Sequence, residues 1–269
     1  MIKIDEKEVD IKKFPDGTLL LKENPYDFYE FGDRTITWLF ENNEELVALI
    51  YIVRHLKSHG YNNLHLNMPY IPNARMDRVK KSEDVFTLKY FAEVINWLGF
   101  NSVTVLDPHS SVSEAVIDNI VIEYPENYVW RAIFSKYIDG TDNLTLFFPD
   151  EGAMKRYSEM FKLPYAFGIK RRDWETGKIQ GLDVSGMTDL INGRKILIID
   201  DISSRGGTFY HSAKKLKELG AKEIYLYVSH CENTILEGEV LSSGLIERVF
   251  TTNSIFTKEH EKITVMEVR

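Results

Sequence analysis

The residue types best suited to chemistry lie together in the last third of the chain. Residues 195–209 read KILIIDDISSRGGTF, in which an apolar run, Ile196–Ile199, is followed at once by the adjacent acids Asp200 and Asp201. Ligands of open α/β sheets bind at the carboxyl ends of parallel strands. Paired carboxylates at such a position can hold Mg²⁺ or the hydroxyl groups of a sugar. The segment therefore predicts a buried strand that ends in a polar binding site.

The loop that follows the two acids is suited to binding an anion. Gly206 and Gly207 allow backbone N–H groups to turn towards a bound anion, and Thr208 adds a hydroxyl donor. The N-terminus of the next helix adds partial positive charge. A polar loop whose acids cap that helix is the simpler alternative. Because the acids directly follow an apolar strand, a phosphosugar site is the favoured interpretation.

Strands and helices alternate along the chain with short connections, which predicts an α/β fold with parallel sheets covered on both faces. The chain opens with a hairpin, residues 9–22, whose turn is Phe14–Gly17. The alternation restarts near residues 123–127, so we expect two domains, 1–124 and 125–269. The patterns predict helices at 42–59, 87–98, 130–137, 152–161 and 209–219, and strands at 64–70, 102–106, 144–148, 165–169, 196–199 and 223–228.

Residues 195–209 resemble the phosphoribosyl-pyrophosphate loop shared by type I phosphoribosyltransferases and phosphoribosyl-pyrophosphate synthases. The resemblance implies two tandem type I phosphoribosyltransferase-like domains, each a mostly parallel sheet flanked by helices. It also implies that the two acids bind the ribose hydroxyls and that the loop after them binds the 5-phosphate. The implied phosphosugar-binding residues are Asp200, Asp201, Ser203, Ser204, Arg205, Gly206, Gly207 and Thr208.

Three further segments resemble the synthases and not the transferases, and all three relate to ATP. Phe14–Gly17 resembles the FxDGE turn, which contacts adenine in a neighbouring subunit, so the resemblance implies a homo-oligomer, at least a dimer. Residues 68–78 (MPYIPNARMDR) resemble PYxxYARQDR, and Asp107–His109 resembles DLH. Thr18 and Met76 depart from the family's Glu and Gln. The implied ATP-binding residues are Phe14, Asp16, Arg75, Asp77, Arg78 and His109.

Two more segments carry the groups that the resemblance assigns to metal binding and catalysis. Pro149–Gly152 resembles the SPDxGG segment, which implies that Asp150, together with His109, is a Mg²⁺ ligand. Gly168–Arg172 resembles the flexible K-x-R loop of the synthases. The implied catalytic cations are Lys170, Arg172 and Arg75.

The stretch after these cations, residues 173–183, is expected to form a mobile lid with Gly177 and Gly181 as flexible points. The reaction that the resemblance implies is Mg²⁺-dependent. It transfers the β,γ-pyrophosphate of the co-substrate ATP to the anomeric 1-hydroxyl of a ribose-5-phosphate unit and releases AMP.

We call residues 200–208 the phosphate loop. This loop departs from the family pattern DDxxDTxGT, because Ser204 and Arg205 stand where the family has an acid and a threonine. This exchange makes the predicted pocket more cationic, and arginine binds phosphate oxygens bidentately. One hypothesis is therefore a larger acceptor, ADP-ribose, whose product ADP-ribose pyrophosphate would serve NAD resynthesis. The alternative is that Arg205 replaces one phosphate contact by another and that ribose 5-phosphate is the acceptor.

Two other classes of function stay open from the sequence. A phosphoribosyltransferase would consume the activated sugar and would not need the segments that resemble an ATP site. A catalytically inactive regulatory paralogue of the synthase is favoured by the departures at Thr18, Met76, Ser204 and Arg205. Retention of the candidate metal ligands His109 and Asp150, of Lys170 and of the two adjacent acids argues against that paralogue.

Composition narrows the setting in which the chain acts. Its 269 residues carry a formal net charge of −8 at an isoelectric point near 5.5, which argues against nucleic-acid binding. No window approaches the roughly 20 apolar residues of a membrane span, and the first residues do not read as a signal peptide. The single cysteine, Cys231, allows no internal disulfide, so a reducing cytoplasm is expected. A structural role for this thiol is favoured over a nucleophilic one.

Overall fold

A computed structural model describes residues 1–23, 32–172 and 179–268, and their side chains except those of 170–182. The described chain divides into two units, Met1–Glu123 and Tyr124–Arg269. Each unit contains a mostly parallel sheet with its own hydrophobic core, so the predicted α/β fold with two such sheets is confirmed. Among the described residues, no helix is both long and apolar enough to span a membrane.

The first unit is built on a six-stranded sheet in the order β2-β1-β5-β6-β7-β8. Strands β5 to β8 run parallel, whereas β1 pairs antiparallel with both of its neighbours. The strands are β1 (Ile2–Ile4), β2 (Lys7–Glu8), β3 (Asp10–Lys13), β4 (Leu19–Lys22), β5 (Arg34–Trp38), β6 (Leu64–Asn67), β7 (Ser102–Leu106) and β8 (Ile120–Glu123). The helices are α1 (Glu44–Ser58), α2 (Thr87–Leu98) and α3 (Val112–Val116).

Helix α2 shows how the sequence specifies this unit. Its apolar residues recur at helical spacing, which buries one face of the helix against the sheet. Gly99 then takes a left-handed conformation with φ 64°, which ends the helix where the sequence predicted. Strand β6 is shorter than predicted and ends at Asn67, because Pro69 has no N–H to continue a ladder.

The second unit is built on a seven-stranded sheet in the order β11-β10-β9-β12-β13-β14-β15. All pairs are parallel except β10 with β11. The strands are β9 (Leu144–Phe148), β10 (Tyr165–Arg172), β11 (Ile179–Gly186), β12 (Lys195–Ser203), β13 (Glu223–Cys231), β14 (Arg248–Thr252) and β15 (Ile263–Met266). The helices are α4 (Glu126–Ile133), α5 (Glu151–Phe161), α6 (Gly207–Glu218) and α7 (Glu239–Ser242).

Three sequence-based predictions for this unit need correction. Helix α4 lies about one turn before the predicted range 130–137, because Pro125 suits a helix start and Tyr128, an aromatic on the buried face, extends the apolar pattern backwards. Residues 179–183 belong to β11 and pair with β10, so this part of the expected lid is strand. The rest of that lid, 173–178 with Gly177, lies outside the described residues.

The third correction concerns the strand that carries the two acids. Strand β12 does not end at Ile199 but continues to Ser203, which pairs with Cys231 of β13. Backbone pairing continues beyond the apolar run, because a parallel neighbouring strand satisfies the backbone N–H and C=O groups whatever side chains the residues carry.

Burial raises the pKa of the Cys231 thiol to about 12, so this cysteine is neutral at physiological pH and acts as a core side chain.

Candidate functional site

Two adjacent strands of the second sheet bring three carboxylates together. Asp150 follows the end of β9 by two residues, and β9 lies next to β12, which carries Asp200 and Asp201. Burial, the charge of Asp201 and the charge of Asp150 raise the pKa of Asp200 well above its ordinary value. The Oδ1 atom of Asp200 accepts the N–H of Asp201 at 3.0 Å. The acids form a cluster whose negative charges repel one another.

Helix α5 supplies a cation to this cluster. The Nη1 atom of Arg156 lies 3.3 Å from Oδ1 of Asp201, whose side chain is almost fully buried. The same guanidinium packs on the ring of Tyr157 and donates to its hydroxyl at 3.2 Å. Arg156 is a site residue to which the sequence reasoning gave no role. The sequence signal that could have identified it is a basic residue about one and a half helical turns after Asp150.

The phosphate loop turns from strand to helix within three residues. Gly206 has φ 77°, and the first backbone bond of α6 joins the N–H of Tyr210 to the carbonyl of Gly206. The N-cap residue, Gly206, has no side chain that could cap this helix. Helix geometry leaves the N–H groups before Tyr210 without intrahelical partners, and they point along the helix axis towards the loop. This end of α6 is therefore suited to holding a phosphate.

Arg205 does not add an uncompensated positive charge to the loop. Its Nη2 atom lies 2.7 Å from Oε2 of Glu237. Glu237 ends a short 3₁₀ helix, Asn233–Glu237, that follows β13. The predicted increase in the positive charge of the pocket is thus offset by a carboxylate that sequence reasoning could not pair with Arg205, because 32 positions separate them.

The candidate Mg²⁺ ligands, Asp150 and His109, belong to different units. Asp150 caps helix α5, since its Oδ1 atom accepts the N–H of Ala153 at 3.0 Å. One oxygen of this carboxylate is therefore used, and its charge still reaches Asp200. Among the described residues, no three metal-binding side chains converge on one point. Hard carboxylate oxygens nevertheless fit Mg²⁺, which binds through one or two carboxylates and completes its shell with substrate phosphates and water.

In the first unit, Asp77 joins the two segments that resemble an ATP site. Arg78 donates to both oxygens of the buried Asp77 carboxylate, at 2.7 Å from Nε and 2.9 Å from Nη2. This guanidinium holds the pKa of Asp77 below its ordinary range against the opposing effect of burial. Ser110 and His109, which follow β7, lower it further. Asp77 is therefore ionised, and it ties the loop after β6 to the loop after β7.

The remaining predicted ATP contacts of this unit are accessible. Arg75 and Met76 are exposed in the same loop as Asp77. His109 is half-buried, and it follows Asp107 and Pro108. Asp107 has φ 42°, an unfavourable conformation for a residue before proline, and structures hold such residues most often at functional sites.

The hairpin of β3 and β4 carries the predicted adenine contacts. Phe14 is about half exposed at the turn. Asp16 accepts hydrogen bonds from the backbone N–H of Thr18 at 3.0 Å and from its hydroxyl at 2.7 Å, and these bonds lower the pKa of Asp16. Thr18, which stands where the family has Glu, thus shapes the turn by binding Asp16. Lys170 and Arg172 lie on β10, and their side chains are outside the described residues.

Replacement of Gly206 by alanine is expected to destabilise the chain. An alanine there would need φ 77° and would place its Cβ atom 2.3 Å from Cγ2 of Val240. We expect Gly206→Ala to lower the free energy of unfolding by at least about 1 kcal/mol, measured by urea unfolding. Gly207→Ala is the matched control, since its Cβ would meet nothing within 4 Å. Equal stability of the two variants would contradict this description of the loop.

The raised pKa of Asp200 predicts that replacing its carboxyl group by a neutral amide stabilises the protein, and that this gain depends on pH. The folded state holds this proton to higher pH than the unfolded state, so stability falls as pH rises from the ordinary Asp value through the raised one. Asp200→Asn should therefore raise the free energy of unfolding near pH 7, and the gain should vanish below about pH 4. Asp142→Asn removes an exposed charge and should give no such gain. A loss of stability in Asp200→Asn at every pH would refute the prediction.

Comparisons with known proteins show what the chain is similar to. No family model matches the chain. It is 29% identical to a ribose-phosphate pyrophosphokinase of Pyrococcus abyssi, an alignment that covers 96% of this chain and 88% of that one. It is 28% identical to a ribose-phosphate pyrophosphokinase of Bacillus subtilis, in an alignment that covers 82% of this chain and 69% of that one.

A solved structure matches the fold of both units. The phosphoribosylpyrophosphate synthetase of Mycobacterium smegmatis superimposes with a TM-score of 0.78 over 97% of this chain and 86% of that chain, at 19% identity. At that identity the match establishes the fold alone, and the relationship depends on the sequence similarities. Together these similarities make the chain a divergent relative of the ribose-phosphate pyrophosphokinases.

Proposed function

We propose that the chain is an ATP-dependent diphosphotransferase that moves the β,γ-pyrophosphate of ATP to the anomeric 1-hydroxyl of a ribose 5-phosphate unit and releases AMP. The observation that carries this proposal is the second unit's pair of acids, followed by a glycine turn and the N-terminus of helix α6. The similarity to ribose-phosphate pyrophosphokinases over most of the chain supports the same reaction.

The second unit is assigned the phosphosugar. Carboxylates accept hydrogen bonds from ribose hydroxyls, and Asp200 and Asp201 lie next to one another at the carboxyl end of the sheet. Arg156 holds Asp201 in place, because it supplies the opposite charge at 3.3 Å. Ser203, Ser204 and the backbone of residues 205–208 would receive the 5-phosphate at the start of α6. This arrangement orients the 1-hydroxyl without the need for a covalent intermediate.

We assign the binding of ATP to the first unit. Arg78 is fixed by two hydrogen bonds to Asp77, so its remaining N–H groups are oriented before a nucleotide binds. The exposed Arg75 would contact the nucleotide phosphates, and Phe14 and Asp16 would contact the adenine of ATP in a neighbouring copy of the chain. Lys170 and Arg172 are proposed to stabilise the charge that develops on the transferred group and on AMP.

Mg²⁺ is the proposed cofactor. Asp150 of the second unit and His109 of the first unit are each proposed as a protein ligand, with phosphate oxygens as further ligands. When bound, Mg²⁺ neutralises phosphate charge during transfer. The acids of the second unit fit a cation, because burial and the neighbouring carboxylates disfavour the ionised form of Asp200 and a bound positive charge would favour it.

The two rival classes are less well supported. A phosphoribosyltransferase would leave the Asp77–Arg78 pair and its neighbour His109 without a role, although all three lie together. An inactive regulatory paralogue would have no need for a costly carboxylate cluster. The proposed setting is the cytoplasm, and the proposed assembly is a homo-oligomer, because the predicted adenine contact needs a second copy of the chain.

The identity of the acceptor is the finer part of the proposal. The ion pair of Arg205 with Glu237 removes the excess positive charge on which the ADP-ribose hypothesis was based. Ribose 5-phosphate is therefore proposed as the acceptor, and ADP-ribose, with a role in NAD resynthesis, is the second candidate. Arg205 favours ADP-ribose only if its guanidinium leaves Glu237 for a second phosphate.

The test is to incubate the purified chain with ATP, Mg²⁺ and either ribose 5-phosphate or ADP-ribose, and to measure AMP release and product mass. We expect AMP with ribose 5-phosphate, and a fall of roughly 100-fold or more in kcat/KM for Asp200→Asn, since this carboxylate orients the acceptor. Asp142→Asn should retain full activity. A faster rate with ADP-ribose that Arg205→Thr reverses would establish the larger acceptor.

Failure of this assay would separate the rival classes. No AMP with either acceptor would reject the proposed function, and ATP binding would then decide between the alternatives. A regulatory paralogue binds ATP with Mg²⁺ but does not turn it over, whereas a phosphoribosyltransferase does not bind ATP productively.

A further inference from the structure

A short stretch after β13 packs around the phosphate loop, and we name residues 232–240 the brace segment. The N–H of Glu232 donates to the carbonyl of Ser203 at 2.8 Å. Gly238 lies so close to the loop that a Cβ atom built on it would be 1.9 Å from the carbonyl oxygen of Arg205. The backbones of the brace segment and of the loop therefore pack directly against one another, and only glycine at position 238 allows this close approach.

The brace segment is itself fixed to the rest of the second unit. Asn233 donates from Nδ2 to the hydroxyl of Thr257 at 2.9 Å, and its Oδ1 accepts the N–H of Thr257 at 3.1 Å. Two residues before the segment, the buried His230 shares a hydrogen bond of 2.8 Å with Ser254. These bonds connect the brace segment and the end of β13 to the chain that follows β14, so the fold determines the position of the segment's backbone relative to the loop.

The brace segment presents a carboxylate to the phosphate loop. Oε2 of Glu237 lies 2.7 Å from Nη2 of Arg205, and the two side chains remain 57% and 71% exposed. An exposed ion pair of this kind contributes little free energy, because water and salt screen it. A phosphate that forms two hydrogen bonds with the guanidinium can therefore replace Glu237 as its partner.

We propose that Glu237 sets the affinity of the phosphosugar site for the acceptor's phosphate, an inference that rests on the function proposed above. Its carboxylate competes with that phosphate for the guanidinium of Arg205. The competition weakens the binding of every ligand that needs Arg205, and it has no effect on a ligand held by the backbone N–H groups alone. Glu237 thus keeps the binding of the acceptor reversible.

The experiment is calorimetric titration of the full chain with ribose 5-phosphate, without ATP, at low salt. Glu237→Gln should lower the Kd by roughly two- to fivefold, the range that the loss of an exposed ion pair allows. Glu239→Gln is the matched control, because it removes the same charge from an exposed residue two positions further along. Its Kd should equal that of the wild type. The gain in Glu237→Gln should disappear at about 1 M salt, where charges are screened within a few ångströms.

A double-mutant cycle with Arg205→Gln separates competition from a general charge effect. In the Arg205→Gln background, Glu237→Gln should leave the Kd unchanged. A gain that persists without Arg205, or an equal gain in Glu239→Gln, would overturn the inference.

AMP release distinguishes failure of the inference from failure of the function. If the wild type releases AMP while Glu237→Gln changes neither Kd nor KM, the inference is wrong and the proposed function stands. If no variant binds ribose 5-phosphate and the wild type releases no AMP, the proposed function is wrong, and the inference with it.

Discussion

The burial of neighbouring carboxylates at one end of the second sheet is the constraint on which the site depends. Neighbouring parallel strands bring Asp150 near Asp200 and Asp201, and burial, followed by the charges of Asp201 and Asp150, raises the pKa of Asp200. Asp201 has a cationic partner, Arg156, at 3.3 Å. The cluster is therefore poised to bind a hydroxyl-rich or cationic ligand, which would relieve the repulsion.

The hydrophobic core of the second unit makes this arrangement possible. Strand β9 is buried along its whole length, and β12 is buried from Ile196 to Ile199, immediately before the acids. Burial of apolar surface contributes about 25 cal/mol for each Å² removed from water, so these strands supply the free energy that offsets the charged cluster. The same strands fix the acids to within the precision of a sheet, which a surface loop would not provide.

The elements that the sequence predicted well are those specified by local pattern. Helix α2 has the predicted bounds because its apolar spacing and Gly99 both act within one helix. The acids and glycines of the phosphate loop were also identified from the sequence, since these residues lie next to one another in the chain. The resemblance to the synthases extended this reading to Asp77 and Arg78, which pair with one another in the structure.

The contacts that the sequence did not reveal join residues far apart in the chain. Glu237 meets Arg205 only because the 3₁₀ helix after β13 folds back over the loop, and Arg156 meets Asp201 only because α5 packs on β12. No local pattern encodes such a pair. The prediction of a more cationic pocket could not take Glu237 into account for this reason.

The central claim is that the acids of β12 and the start of α6 hold a phosphosugar. A crystal structure of the chain with ribose 5-phosphate tests it most directly. The account predicts the ribose hydroxyls within hydrogen-bond distance of Asp200 and Asp201, and the 5-phosphate on the backbone N–H groups between Arg205 and Thr208. Ribose 5-phosphate bound elsewhere, with this loop occupied only by water, would contradict the account.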